Sequence, residues 1–373
     1  MTVATEPLPR RLTVVALWLL VINGLIGAGI FGVPATAARL TGAYSPLMFV
    51  LCGLLILPIL LCFGELASYF RGTGGPIRYA AAAFGRFAGF ETGWTFYIAR
   101  MGAFAANLNL LVDSIAYFWA PANLGFTRVA LMALTCGLIT WGNVVGTEHA
   151  MRSLGGLTVL KFIPLVILVA VGLPHIDAAA FPSASAHVPS PDDIGSAALV
   201  MVYAYVGFAA AVVPAGEALR PAKDMPRALL AGLGVATLLY VGIQLVSLSV
   251  LPHLGESERP LLDVADVLLG GPGAALLMSG VVVSVGGNLM ASSFSAARMS
   301  YVLAREGSLP EPFGRVHRRF ETPHVSIVLY GVVAFVVASA GSFVWLAKTN
   351  VLVRVLMYMM CIGALPIVRR RFR

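Results

Sequence analysis

The residues best equipped for chemistry sit in stretches that are otherwise almost uniformly apolar. Gly27, Gly29 and Gly32 form GAGIFG, a match to the G-x-G-x-x-G string that cradles dinucleotide phosphates. A phosphate loop of that kind follows a short strand and is trailed by an acidic residue about 20 positions on. Here the preceding LTVVALWLLVINGL is too long and too evenly apolar for one strand, and no acid occurs between Gly32 and Glu65, so the nucleotide reading is set aside. Arg100 and Lys161 are ionisable groups inside the apolar runs FYIARMGAFAANL and TVLKFIPLVILV. Charge at such depth is expensive and is a functional hypothesis by default. Cys52, Cys62, Cys136 and Cys361 lack paired spacing, and the six histidines are isolated, so neither a disulfide framework nor a metal site is expected. With no nucleophile–base pair in the apolar runs, no enzyme and no cofactor is expected either.

The elements that hold these residues follow from composition. Charged residues are 11% of the 373-residue chain, against about 25% in soluble proteins, and apolar residues reach 59%. This is the composition of an all-α polytopic membrane protein. Runs of about 20 apolar residues predict ten transmembrane helices, near 12–37, 45–68, 92–119, 127–147, 155–175, 194–219, 228–251, 274–304, 324–346 and 349–368. The stretch RGTGGPIRY at 71–79 reads as a loop, and HIDAAAFPSASAHVPSPDD at 175–193 is the one long polar insertion. With the amino terminus inside, 18 of the 25 Lys and Arg residues fall in inner segments; Arg39, Arg128, Arg259 and Lys348 lie outside, and Arg100, Lys161 and Arg354 lie within spans. That asymmetry predicts both termini in the cytoplasm. It also accounts for the net charge of +8 without a nucleic-acid partner.

In hydrocarbon a break in a spanning helix persists only where it is buried or lines a cavity. The glycines at 27, 29 and 32, followed by Pro34, predict such a break in span one; close helix packing through small residues is the competing account. Span six has a counterpart in Gly207 and Pro214. Paired broken helices in corresponding positions of two halves point to a binding site at the bilayer midplane. The halves, about 12–175 and 194–368, would each hold five spans, and an odd number inserts the second inverted relative to the first: a 5+5 inverted repeat within a single transporter domain.

Each buried charge has two readings. Desolvation disfavours the charged form of an amine, which lets Lys161 release a proton near neutral pH; otherwise it snorkels to the interface marked by Arg152. Arg100 shares a helical face with Ala103, Phe104 and Asn107. It either recognises a substrate carboxylate or pairs with Glu65, Asp113 or another acid. Glu217 reads as part of a cytoplasmic gate or as a solvated helix end. Ser292 and Ser293 either face the Lys161 region or bond their own backbone.

Four stretches together resemble the amino acid/polyamine/organocation superfamily of secondary transporters. They are GAGIF at 27–31, ELASYFRGTGGPIRYAAAAFGRFAGFETGW at 65–94, YVGFAAAVVPAGEALRPAKDMPRAL in span six, and ARMSYVLAREGSLPEPFGRVHRRFETP at 297–323. The resemblance implies a leucine-transporter-like core with helices one and six broken around an amino-acid-like substrate. It implies that the N–H groups of Ala28, Gly29 and Ile30 take the carboxylate. Carbonyls of Leu25, Tyr203 and Val206, beside Gly207, would take the amino group. Tyr203 or Phe208 becomes an aromatic lid or simple packing. Members without sodium dependence are similar in carrying a lysine at the Lys161 position, where sodium-coupled relatives of the fold bind the ion. Two features depart from the pattern: Ala209 stands where members often have Glu, and ten spans are read where members usually have twelve.

The function expected is secondary transport of an amino acid or related amine across the cytoplasmic membrane, by proton symport or by substrate/product antiport. A channel or a non-transporting ligand sensor is the competing class. The expected partners are that small molecule, the proton and membrane lipid.

Overall fold

The computed structural model describes residues 13–27, 29–70, 75–116, 118–145, 154–177, 181, 188–212, 218–305, 307–320 and 322–372. Among these the chain is helical, with no strand: α1 (Val14–Leu25), α2 (Gly29–Thr41), α3 (Ser45–Tyr69), α4 (Pro76–Phe84), α5 (Arg86–Ile115), α6 (Gly125–Val145), α7 (Leu154–Gly172), α8 (Pro191–Tyr205), α9 (Ala209–Val212), α10 (Pro221–Val250), α11 (Pro260–Arg305), α12 (His324–Ala340) and α13 (Phe343–Phe372). Local chemistry sets several of the ends. Thr13 caps α1 by accepting from the Ala16 N–H, and Ser190 caps α8 by accepting from the Asp193 N–H. Pro76, Pro191 and Pro221 stand at the first positions of α4, α8 and α10, where a missing N–H costs nothing.

Five stretches of the described chain are long and apolar enough to cross a membrane: Gly29–Tyr69, Gly125–Val145, Pro221–Val250, Pro260–Arg305 and Val344–Phe372. Val14–Leu25, Leu160–His175 and His324–Ala340 are shorter apolar helices. The distribution of burial fits lipid as the outer solvent. Trp141, Leu238 and Met359 are 66%, 76% and 61% exposed, whereas Lys161, Gln244 and Arg354 are buried. Polar groups turned inward and large apolar groups turned outward are what hydrocarbon demands.

Three boundaries differ from those read in the sequence. The 71–79 stretch is in part helical, because α4 begins at Pro76 and buries Tyr79 and Ala80. It packs on α5 where Gly89 and Gly93 leave room: a Cβ on Gly89 would stand 2.8 Å from the Ala81 Cβ. The third span begins earlier, at Arg86, after Gly85 turns the chain with φ 93°. The eighth begins at Pro260 and bends at Gly270, where φ is 66°.

The helices form two packed groups. In one, α10 lies against α1 and α3, and α8 lies against α2 and α3. In the other, α5 lies against α11 and α12, and α12 lies against α6. Several contacts join the groups: α7 contacts α11 as well as α10 and α1, α13 contacts α5 as well as α8 and α3, and α11 contacts α2 and α10. Small residues set the closest approaches. A Cβ on Gly232 of α10 would meet Val21 Cγ1 of α1 at 2.4 Å, while one on Gly234 meets nothing within 4 Å. Val21 is β-branched and cannot swing aside within its preferred rotamer. Gly232→Ala is therefore expected to destabilise the detergent-purified protein by about 1–3 kcal/mol, and Gly234→Ala to leave its thermal midpoint unchanged or raised.

Candidate functional site

The chain leaves the helical path twice, and the two places touch. α1 ends at Leu25 and α2 starts at Gly29, while α8 ends at Tyr205 and passes through a 3-10 turn at Val206–Phe208 into α9. Gly24 and Gly207 meet backbone to backbone: a Cβ on Gly207 would lie 1.6 Å from the Gly24 oxygen, and one on Gly24 would lie 2.5 Å from the Gly207 oxygen. A Cβ on Gly29 would lie 2.8 Å from Ala204 Cα, so the start of α2 also rests directly on α8. No residue larger than glycine fits these contacts without backbone movement.

A helix end leaves carbonyls without intrahelical donors, and buried carbonyls need partners. At the end of α1 the Ile22 carbonyl accepts from the Ile26 N–H at 2.8 Å, and the Leu25 carbonyl from the Gly27 N–H at 2.9 Å. The Lys161 ammonium, on α7, donates to the carbonyls of Asn23 at 2.9 Å and Ile26 at 2.5 Å and to the Asn23 Oδ1 at 2.6 Å. A cation is thus seated at the negative end of the α1 dipole. The Tyr240 hydroxyl stands 2.7 Å from the Leu25 carbonyl and 3.0 Å from the Ala204 carbonyl, so one phenol ties the ends of α1 and α8 together. Its ring is fixed by Tyr205 and Phe49, with centroids 5.1 and 5.8 Å away.

At the second break the Val206 carbonyl accepts from Arg354 Nη1 at 2.9 Å, with the Tyr358 hydroxyl at 3.5 Å. Phe208 is fully buried in an aromatic cluster, edge-on to Phe63 and stacked on Tyr358. Tyr203 turns the other way and donates to Asn107 Oδ1 at 3.0 Å; Asn107 Nδ2 in turn donates to Asn288 Oδ1 at 3.2 Å. The Asn288 amide reaches the first break, 3.0 Å from where a Gly27 Cβ would be. A polar chain therefore runs from the α1–α2 break through Asn288 and Asn107 to Tyr203.

The sequence-predicted residues divide accordingly. Leu25, Gly29, Ile30, Tyr203, Val206, Gly207 and Lys161 lie at or against the two breaks. Ala28 and Glu217 fall outside the described residues. Arg100 donates from Nη2 to Ser295 Oγ at 3.0 Å. The acids considered for it are engaged elsewhere: Asp113 by Arg128, and Glu65 by both nitrogens of a bidentate Arg369 at 2.5 Å each. Ser292 approaches the Arg100 carbonyl at 3.4 Å, and Ser293 Oγ is buried with no partner among the described residues. Neither serine is an acceptor of the Lys161 ammonium. Asn23, Gly24, Tyr240, Asn288 and Arg354 were not selected from the sequence. Arg354 carried a signal, as a charge within a span, and Asn23 another, as an amide in an apolar run; Tyr240 carried none.

Tyr240→Phe removes the hydroxyl shared between the Leu25 and Ala204 carbonyls and is expected to destabilise the protein by about 0.5–1.5 kcal/mol, read as a lowered thermal midpoint in detergent.

Comparison with known proteins places the chain in one family. The family profile described as amino acid permease aligns with residues 12–373. The chain is 27% identical over 362 residues to the serine/threonine exchanger SteT of Bacillus subtilis (strain 168), covering 94% of this chain and 82% of that protein. It is 25% identical to the methylthioribose transporter of the same organism, over 88% of this chain and 75% of the relative. It is also 25% identical to the branched-chain amino acid permease BcaP, again from that organism, over 93% and 78%. These relatives are transporters and not enzymes, and the apolar helices agree with an integral membrane protein. The chain belongs to the amino acid permease family within the amino acid/polyamine/organocation superfamily.

Proposed function

We propose that the protein is a proton-coupled symporter of an amino acid or related amine in the cytoplasmic membrane, built as ten spans in a 5+5 inverted repeat with both termini inside. The repeats run from about 12 to 175 and from about 194 to 368 within a single domain. The substrate carboxylate is taken by the amides of Ala28, Gly29 and Ile30, next to the start of α2, where a helix start favours an anion. Its ammonium is taken by carbonyls of Leu25, Tyr203 and Val206, with Gly207 keeping that backbone accessible. Tyr203 and Phe208 flank the site, and Glu217 gates the cytoplasmic side.

The observation that carries this reading is the Lys161 ammonium on the Asn23 and Ile26 carbonyls. Charge-assisted hydrogen bonds of this kind contribute about 1.5–3 kcal/mol each. A neutral amine holds the same carbonyls more weakly, so loss of the proton loosens the end of α1. Protonation of one buried group is thereby linked to the geometry of the break, and through it to the equilibrium between inward-facing and outward-facing states. Obligatory exchange is the second reading, favoured by the relative described as a serine/threonine exchanger.

The test is uptake of labelled amino acids into proteoliposomes, with and without an inward proton gradient, for the unmodified protein and for Lys161→Ala. Symport requires gradient-driven accumulation that falls about tenfold or more in the variant, the kinetic counterpart of one lost charge-assisted bond, while substrate binding persists. Gradient-independent exchange that the substitution leaves unchanged sinks the coupling role of Lys161 and leaves an antiporter.

A further inference from the structure

Arg100 and Arg354 are charges inside the bundle that the coupling scheme does not use. Arg100 is 8% exposed and Arg354 2%. They reach the same aromatic ring from α5 and α13: their guanidinium carbons lie 6.0 and 5.9 Å from the Phe96 centroid. Each guanidinium offers five N–H donors. Arg354 uses Nε on Asn350 Oδ1 at 2.8 Å and Nη1 on the Val206 carbonyl at 2.9 Å. Arg100 uses Nη2 on Ser295 Oγ, and its buried Nε has no partner among the described residues. The ion pairs among the described residues join Asp113 to Arg128, Asp224 to Arg220, Glu311 to Arg315 and Glu65 to Arg369, so none of these acids neutralises either buried arginine.

An arginine cannot shed its charge, and an uncompensated buried ion costs several kcal/mol. Two such ions on one ring, with the buried Arg100 Nε unpartnered and neither charge paired with an acid among the described residues, form a site short of an anion. The cation–π contact with Phe96 offsets only about 0.5–2 kcal/mol of this. The deficit also lies at the substrate region, because Arg354 bonds the Val206 carbonyl and Tyr203, three residues earlier on α8, contacts Asn107 from the same helix as Arg100.

We propose that the substrate carries a second anionic group: an amino acid with a carboxylate side chain, held between Arg100 and Arg354 while its backbone groups occupy the two breaks. This rests on the transport reading above and narrows its substrate class. A carboxylate suits the pair because it accepts bidentately from guanidinium groups. It also completes the charge balance that the chain's described acids leave open.

Proteoliposome uptake separates the possibilities. Labelled L-glutamate, L-aspartate and L-serine are each offered in chloride and in gluconate buffer, with unlabelled competitors in excess. The expected result is uptake of an acidic amino acid that other acidic amino acids inhibit and serine does not. Arg100→Gln and Arg354→Gln should each lower it by about 10–150-fold, the equivalent of one charge-assisted bond, and Arg100→Lys should lower it less. Serine uptake that excess glutamate and aspartate leave unchanged overturns the proposal and keeps the transporter reading. Neutral amino acid uptake that requires chloride and loses that requirement in Arg100→Gln assigns the site to an inorganic anion and also overturns it. No flux of any amino acid overturns both readings. Should a variant fail to fold, competition on the unmodified protein decides.

Discussion

The requirement that every buried backbone carbonyl find a donor shapes this protein more than any single side-chain contact. In water a broken helix is solvated; in hydrocarbon its ends must be answered from within the protein. α1 stops at Leu25, and its last carbonyls are met in turn by the Ile26 and Gly27 amides, the Lys161 ammonium and the Tyr240 hydroxyl. The break is therefore a set of hydrogen bonds supplied from two other helices, α7 and α10. Anything that competes for those donors or acceptors acts on the geometry of the break directly.

The second break is answered in a parallel way. α7 and α13 each contact both packed groups, and each carries one buried cation. Lys161 on α7 binds carbonyls at the end of α1, and Arg354 on α13 binds the Val206 carbonyl beyond α8. The chemical difference between the two cations matters. A lysine amine can lose its proton when desolvated, whereas a guanidinium keeps its charge. Lys161 is suited to a changing state of charge, and Arg354 to a fixed positive charge facing a ligand. In the proposed scheme Lys161 serves coupling at one break and Arg354 recognition at the other.

Much of this was legible in the sequence, and the parts that were not have physical reasons. The apolar runs and the glycines at 27, 29 and 207 located the discontinuities, because chain breaks in a membrane need small residues and a polar cause. Lys161 stood out for the same reason. The contact between Gly24 and Gly207 was not legible, since a close approach depends on how two distant helices cross and nothing local marks it. Tyr240 was hidden because a tyrosine in an apolar run reads as packing until a carbonyl is found above its hydroxyl. α4 was read as loop because Gly74, Gly75 and Pro76 punctuate the sequence just before it. In the structure Gly75 precedes the helix, and the proline then starts a short helix that packs on α5. Arg100 was read either as a ligand of a substrate carboxylate or as the partner of Glu65, Asp113 or another acid, and Glu65 and Asp113 are held by Arg369 and Arg128.

The Gly24–Gly207 contact bears on how such a site can move. Backbones that meet without intervening side chains make a junction with no interlocked rotamers to rearrange. What holds it is a small number of directional bonds, chiefly Tyr240 on Leu25 and Ala204, Lys161 on Asn23 and Ile26, and Arg354 on Val206. Directional bonds are lost over a short displacement, so a junction made of them tends toward distinct made and broken arrangements rather than gradual deformation. A ligand that supplies an ammonium to those carbonyls, or a carboxylate to those cations, exchanges one satisfied set for another. The free-energy difference between the sets then remains within the few kcal/mol that a bound substrate and a proton can shift.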